Sequence, residues 1–127
     1  MENTTLKNRK ILIVEDDLSS RLYLNKILEK TGATLLNAGD GKEAVEMMYN
    51  NPDIDIILMD IQLPVMDGYA AAAKIREIGK NTILVAQTAY GLSDDMEKIL
   101  ASGFDDYVIK PIMSDQLIEK LSGYFNK

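Results

Sequence analysis

Apolar residues gather into five short runs, at 11–14, 34–36, 54–59, 83–86 and 107–109, with longer polar-rich stretches between them. Several runs are continuous rather than alternating, as in parallel strands covered on both faces. The intervening stretches carry apolar residues at helical spacing. Leu24, Ile27 and Leu28 share one face, as do Ala71, Ile75 and Ile78. Met96, Ile99 and Leu100 mark a further helix, and Leu117, Leu121 and Tyr124 a last one. The pattern predicts five strands alternating with five helices. With right-handed crossovers, such a (βα)5 string gives a single α/β domain, a doubly wound five-stranded parallel sheet of order 2-1-3-4-5.

Polar punctuation agrees with that division. Asp40, three residues before Glu43, is a capping-box variant opening the second helix. Ser93 followed by Asp94 and Asp95 supplies a cap and two acids for the N-terminus of the fourth. Gly32, Gly79 and Gly103 follow helical runs, where a left-handed C-cap residue is expected. The methionines, Met47, Met48 and Met96 among them, read as core filling. Residues 1–9 are expected to be a tail or linker remnant, and residues 10–127 the domain.

In doubly wound sheets, ligands bind outside the carboxyl ends of the strands, where the winding reverses between strands one and three. Strand one runs into Glu15, Asp16 and Asp17, and strand three into Asp60. Strand four runs into Gln87, Thr88 and Ala89, and strand five into Lys110 and Pro111. Each acid alone reads as a solvated loop residue or helix cap; together they form one pattern. Carboxylates about 5 Å apart repel by about 3 kcal/mol at an effective dielectric near 20. Converging acids therefore raise a pKa or recruit a cation. An all-oxygen, partly hydrated site suits Mg²⁺. Mg²⁺ lets an anionic carboxylate attack a phosphoryl group, and aspartyl phosphates are established chemistry. Lys110 and the Thr88 hydroxyl would meet the remaining phosphate oxygens.

Val14-Glu15-Asp16-Asp17, the run from Met59 through Asp60 to Gly68, Thr88-Ala89, and Tyr107-Val108-Ile109-Lys110-Pro111 together resemble a response-regulator receiver domain of two-component signalling. The resemblance extends from about Lys10 into the last helix, and the Asp60 segment is most similar to receivers of hybrid sensor histidine kinases. It implies a flavodoxin-like fold and a phosphorelay function. Asp60 is then the phosphoacceptor, Asp16 binds Mg²⁺ directly, Glu15 assists through water, and the Gln62 backbone carbonyl is a further ligand. Lys110 pairs with the acyl phosphate, Thr88 hydrogen-bonds to it on switching, Tyr107 reorients with Thr88, and Ala89 leaves the phosphate path open. Gln62 and Tyr90 tune dephosphorylation, and Pro111 follows a cis bond. The implied donor is a histidine kinase or histidine phosphotransfer domain. The implied output surface is the fourth helix, fifth strand and fifth helix.

Plainer readings stand beside these. Asp17 is better read as a cap, Pro64 and Gly68 as backbone-shaping residues, and Tyr107 equally well as core. The run Tyr69-Ala70-Ala71-Ala72-Ala73-Lys74 departs from the family's more polar third helix and suits either a contact surface or plain helix formation.

Composition narrows the field further. A net charge of −6 disfavours nucleic acid and anionic lipid as direct partners. With no histidine and no cysteine, serine–histidine and cysteine–histidine mechanisms and the usual zinc sites are excluded, and the phosphodonor must lie outside this segment. No apolar run approaches the roughly 18 residues needed to span a bilayer. The domain is expected to be cytoplasmic and not an enzyme beyond its own phosphorylation and dephosphorylation. A Mg²⁺-dependent aspartyl-phosphate phosphatase is the first alternative. It would want a second acid two residues after the nucleophile, where Gln62 stands. A phosphorylation-independent interaction module is the second, and a nucleotide-binding flavodoxin-like protein would need a glycine-rich loop after strand one.

Overall fold

A computed structural model of the chain describes residues 6–79, 81–89 and 93–125, with only the backbone described at 93–95. The elements alternate as β1 (Lys10–Val14), α1 (Leu18–Glu29), β2 (Thr34–Ala38), α2 (Gly41–Asn50), β3 (Ile56–Asp60), α3 (Gly68–Ile78), β4 (Ile83–Thr88), α4 (Ser93–Ala101), β5 (Asp106–Ile109) and α5 (Ser114–Gly123). All strand pairings are parallel and the order is β2-β1-β3-β4-β5, as the strand–helix alternation predicts.

The continuous apolar runs are explained by two cores, one on each face of the sheet. Leu12, Val14, Ile57, Met59, Leu84 and Ala86 point one way, onto Ala44, Met48, Ala72, Ile75 and Ile99 of α2, α3 and α4. Their neighbours Ile11, Ile13, Ile56, Leu58 and Val85 point the other way, onto Leu24, Ile27 and Leu28 of α1 and Leu117 and Leu121 of α5. Adjacent strand residues face opposite sides, so a strand buried on both needs no polar alternation.

Side-chain caps fix where α1, α2 and α3 begin. Asp17, Asp40 and Asp67 accept the backbone N–H of Ser20, Glu43 and Ala70 at 2.9, 2.7 and 2.9 Å. The Glu43 carboxylate reaches back one residue past the cap and accepts the Gly39 N–H at 3.2 Å, so the return bond of the expected box falls on Gly39 instead of Asp40. Gly32 and Gly103 are left-handed, with φ of +83° and +105°.

Gly79 corrects the expectation: its φ is −131°, so no left-handed cap forms there. It is small because a Cβ would lie 2.3 Å from Met48 Cε and 3.0 Å from Thr82 Oγ1. Leu100 is likewise 49% exposed, because the 100° step from buried Ile99 turns it outward. Half of the alanine run is packing: Ala71 and Ala72 are buried among the core residues that include Ala44 of α2, while Ala70 and Ala73 are exposed. Residues 6–9, grouped with the tail on sequence, are held against the domain. Leu6 is fully buried, its N–H donates to the Thr31 carbonyl at 3.1 Å, and the Arg9 guanidinium lies 3.9 Å from the Phe125 ring centroid.

Candidate acidic site at the strand ends

Register brings the chemistry-bearing residues level. Val14 pairs with Met59, Met59 with Ala86, and Ala86 with Tyr107. The next row along the sheet therefore holds Glu15, Asp60 and Gln87, and the one after it Thr88 beside Ile109. The Lys110 N–H donates to the Thr88 carbonyl at 2.8 Å, which carries the pairing one step beyond β5.

Residues far apart in sequence thus converge. Lys110 Nζ donates to Asp60 Oδ2 at 2.8 Å and lies 3.6 Å from Glu15 Oε2. Asp60 Oδ1 accepts the Gln62 N–H at 2.9 Å, and Glu15 Oε1 accepts the Asp17 N–H at 3.2 Å. One carboxylate oxygen from each of Glu15, Asp16 and Asp60 lies within 4.8 Å of the others. Glu15 and Asp60 are buried, at 1% and 6% exposure, whereas Asp16 faces solvent. Glu15 Oε2 is buried without a hydrogen-bond partner.

The electrostatics follow from that crowding. Burial raises the Glu15 pKa, the Asp60 charge reinforces the shift, and the Asp17 N–H and Lys110 only partly oppose it. Burial alone would lower the Lys110 pKa, but its hydrogen bond to Asp60 and the charges of Asp60 and Glu15 outweigh that and leave it raised. One cation therefore serves two buried carboxylates and leaves an oxygen without a donor. Such a site favours a further positive charge.

Thr88 is buried at the end of β4, and Ala89 and Gln62 are exposed. Tyr90 lies outside the described residues. The Lys110–Pro111 bond is cis. Asp17 caps α1 and lies beside the acid trio, not in it. Tyr107 is half-buried against the α3-side core. Lys120 of α5 donates to the Tyr107 carbonyl at 2.8 Å and to Asp106 Oδ1 at 2.9 Å, and its ammonium lies 5.2 Å from the Tyr107 ring centroid.

Beside these stand Gln87, which the sequence already puts at the end of strand four, and Arg21, which a reading of the strand ends misses. Gln87 is fully buried, and its Nε2 donates to the Leu58 carbonyl at 3.3 Å. Arg21, on α1, donates from Nε and Nη2 to the Glu15 carbonyl at 3.2 and 3.0 Å. Its signal was present: positions 21, 24 and 28 share one helix face, so a cation there sits on the inward stripe.

The response regulator receiver domain family matches residues 11–122. Two-component system protein A of Emericella nidulans is 38% identical over 117 residues, 91% of this chain and 17% of that protein. The chain spans between 7% and 17% of the first several relatives, although shorter relatives are covered over 92% and 94% of their length. Among solved structures, the receiver domain of sensor histidine kinase PA1611 from Pseudomonas aeruginosa carries a magnesium ion coordinated in its active site cleft. It superposes with a TM-score of 0.85 at 34% identity, covering 94% of this chain and 98% of that one. The co-crystal structure of the Saccharomyces cerevisiae histidine phosphotransfer protein Ypd1 with the receiver domain of Ssk1 gives a TM-score of 0.85 at 32% identity, covering 92% and 88%.

Proposed function

Because this chain belongs to the response regulator receiver domain family, we propose that it takes a phosphoryl group from a phosphohistidine onto Asp60 and thereby switches a protein-binding surface. The observation that carries this reading is the Asp60 carboxylate, paired with Lys110 at 2.8 Å inside a trio of acids whose oxygens lie within 4.8 Å. The donor set is all oxygen and one buried Glu15 oxygen lacks a partner, so the residues fit Mg²⁺. Glu15, Asp16, Asp60 and the Gln62 backbone carbonyl would hold it. When bound, Mg²⁺ would neutralise the acids and the transferring phosphoryl oxygens.

The protein's own groups do the rest. An Asp60 oxygen forms the new O–P bond as the donor's imidazole N–P bond breaks, and the donor keeps the electron pair. Lys110 holds Asp60 in place and then faces the product's phosphate oxygens. The Thr88 hydroxyl turns to that phosphate, Ala89 leaves the approach open, and Tyr107 follows Thr88. Water attack resets Asp60, at a rate set by Gln62 and Tyr90. Residues 10–127 act as the switching unit, and the output face is α4, β5 and α5. The reaction is the domain's own phosphorylation and dephosphorylation, with no turnover of a separate substrate.

The phosphodonor is a histidine kinase or histidine phosphotransfer domain, consistent with the yeast pair, and the setting is cytoplasmic. Among the described residues no helix is long and apolar enough to cross a membrane. The parent protein is either a free-standing regulator or a hybrid histidine kinase. Acetyl phosphate with Mg²⁺ should add one phosphoryl group, seen by intact mass, and Asp60→Asn should not acquire it. Labelling of that variant at the wild-type level would overturn the assignment.

A further inference from the structure

We infer that Arg21 is a positioning residue for the acid pair: its guanidinium fixes the peptide joining Glu15 to Asp16 and so strengthens divalent-cation binding at that pair. The inference rests on the Mg²⁺ site proposed above. Nε and Nη2 of Arg21 both donate to the Glu15 carbonyl, at 3.2 and 3.0 Å. That carbonyl belongs to the planar unit whose N–H is the Asp16 amide, so holding it sets the direction in which the Asp16 side chain leaves the backbone. The remaining restraints act on either side of this unit. The Glu15 N–H donates to the Ala38 carbonyl at 3.1 Å, and the Asp17 N–H donates to Glu15 Oε1. Arg21 alone among these groups grips the peptide between the two acids. Arg21 is anchored in turn, because its own N–H donates to the Asp17 carbonyl at 2.9 Å in the first turn of α1. A two-point donor suits this task, and a lysine offers one point charge instead. Gly39 leaves room for the guanidinium: a Cβ there would lie 3.1 Å from Nη2.

Charge and positioning predict opposite outcomes when Arg21 is neutralised. Removing a nearby cation should tighten Mg²⁺ binding through Coulomb's law. Releasing the Glu15–Asp16 peptide should weaken it by about tenfold, the lower end of what outer-shell partners of metal ligands contribute. The test is calorimetric titration of the full chain with MgCl₂, alongside thermal melts, for wild type, Arg21→Met, Arg21→Lys and Asn25→Ala. Asn25 is the control: its Nδ2 donates to Asn37 Oδ1 of β2 at 2.7 Å and to the Arg21 backbone carbonyl at 2.8 Å, so its removal loosens α1 but leaves the Arg21 guanidinium able to hold the Glu15 carbonyl. Arg21→Met should bind about tenfold more weakly, Arg21→Lys should fall between it and wild type, and Asn25→Ala should melt earlier but bind as wild type does. If Arg21→Met fails to fold, Arg21→Lys decides: affinity equal to wild type overturns the inference. Tighter or unchanged binding by Arg21→Met, or an equal loss in Asn25→Ala, also overturns it. A wild-type protein with no Mg²⁺ binding instead removes the metal site on which the inference rests.

Discussion

A Cβ on Gly68 would lie 2.8 Å from the Asp60 carbonyl oxygen and 2.6 Å from Ile61 Cα, so the start of α3 rests directly on the backbone of the candidate phosphoacceptor. Both contacts are backbone and cannot swing aside. Gly68→Ala should therefore cost about 1–3 kcal/mol, the usual range for overpacking. The displaced segment would include Asp60 itself. A melt should show the loss, and phosphorylation by acetyl phosphate should slow more than the stability change alone accounts for.

Lys110 is the cation hydrogen-bonded to Asp60. Lys110→Met keeps the stem and deletes that donor. Loss of a preorganised donor at a site of developing charge costs about 10²–10³-fold in rate. Single-turnover phosphorylation of this variant should slow by about that factor, while circular dichroism at 25 °C stays native.

The raised pKa of Glu15 gives a stability profile with a definite sign. A carboxyl that holds its proton more tightly when folded contributes stability that is fully present below its ordinary value near 4.5 and is lost as pH rises through the raised value. Metal-free protein should accordingly gain stability from Glu15→Gln at pH 7, and little or none at pH 4. Added Mg²⁺ should stabilise wild type more than the variant, shrinking or reversing the gap. Melts at the two pH values, with and without MgCl₂, provide the check. The raised Lys110 pKa works at the other end: its contribution holds below the ordinary lysine value of 10.5 and fades only above it.

Arg76 joins α3 to the far ends of β4 and β5. It donates to the Gly103 carbonyl at 3.0 Å and the Thr82 carbonyl at 2.5 Å, and it pairs with Asp105. Arg76→Ala leaves two backbone carbonyls short of a donor and should cost about 2 kcal/mol, read as a melting shift of several degrees. Because these contacts lie at the start of the sheet, Mg²⁺ affinity should not change.

Strand order and the acid trio were legible because both are written in local pattern. Apolar runs stop where Glu15, Asp60 and Lys110 begin, and a parallel sheet aligns those stops. What escaped was decided by three-dimensional neighbours. Gly79 looks like a helix terminator, yet its smallness answers to Met48, thirty-one positions earlier. Leu100 is as apolar as Ile99 but falls a step around the helix. Leu6 sits in a polar stretch, and only the nearby Thr31 carbonyl reveals that it is pinned. Arg21 was readable only as a cation on an inward face, with nothing local to say that it reaches back to a strand end.

Residues 6–9 meet the body where the strands start, with the Arg9 carbonyl accepting the Thr34 N–H at 2.8 Å. The five residues of β1, about 16 Å at 3.3 Å each, then separate that entry from the acids. Leu6 and Arg9 are thus held at the pole of the sheet opposite Asp60.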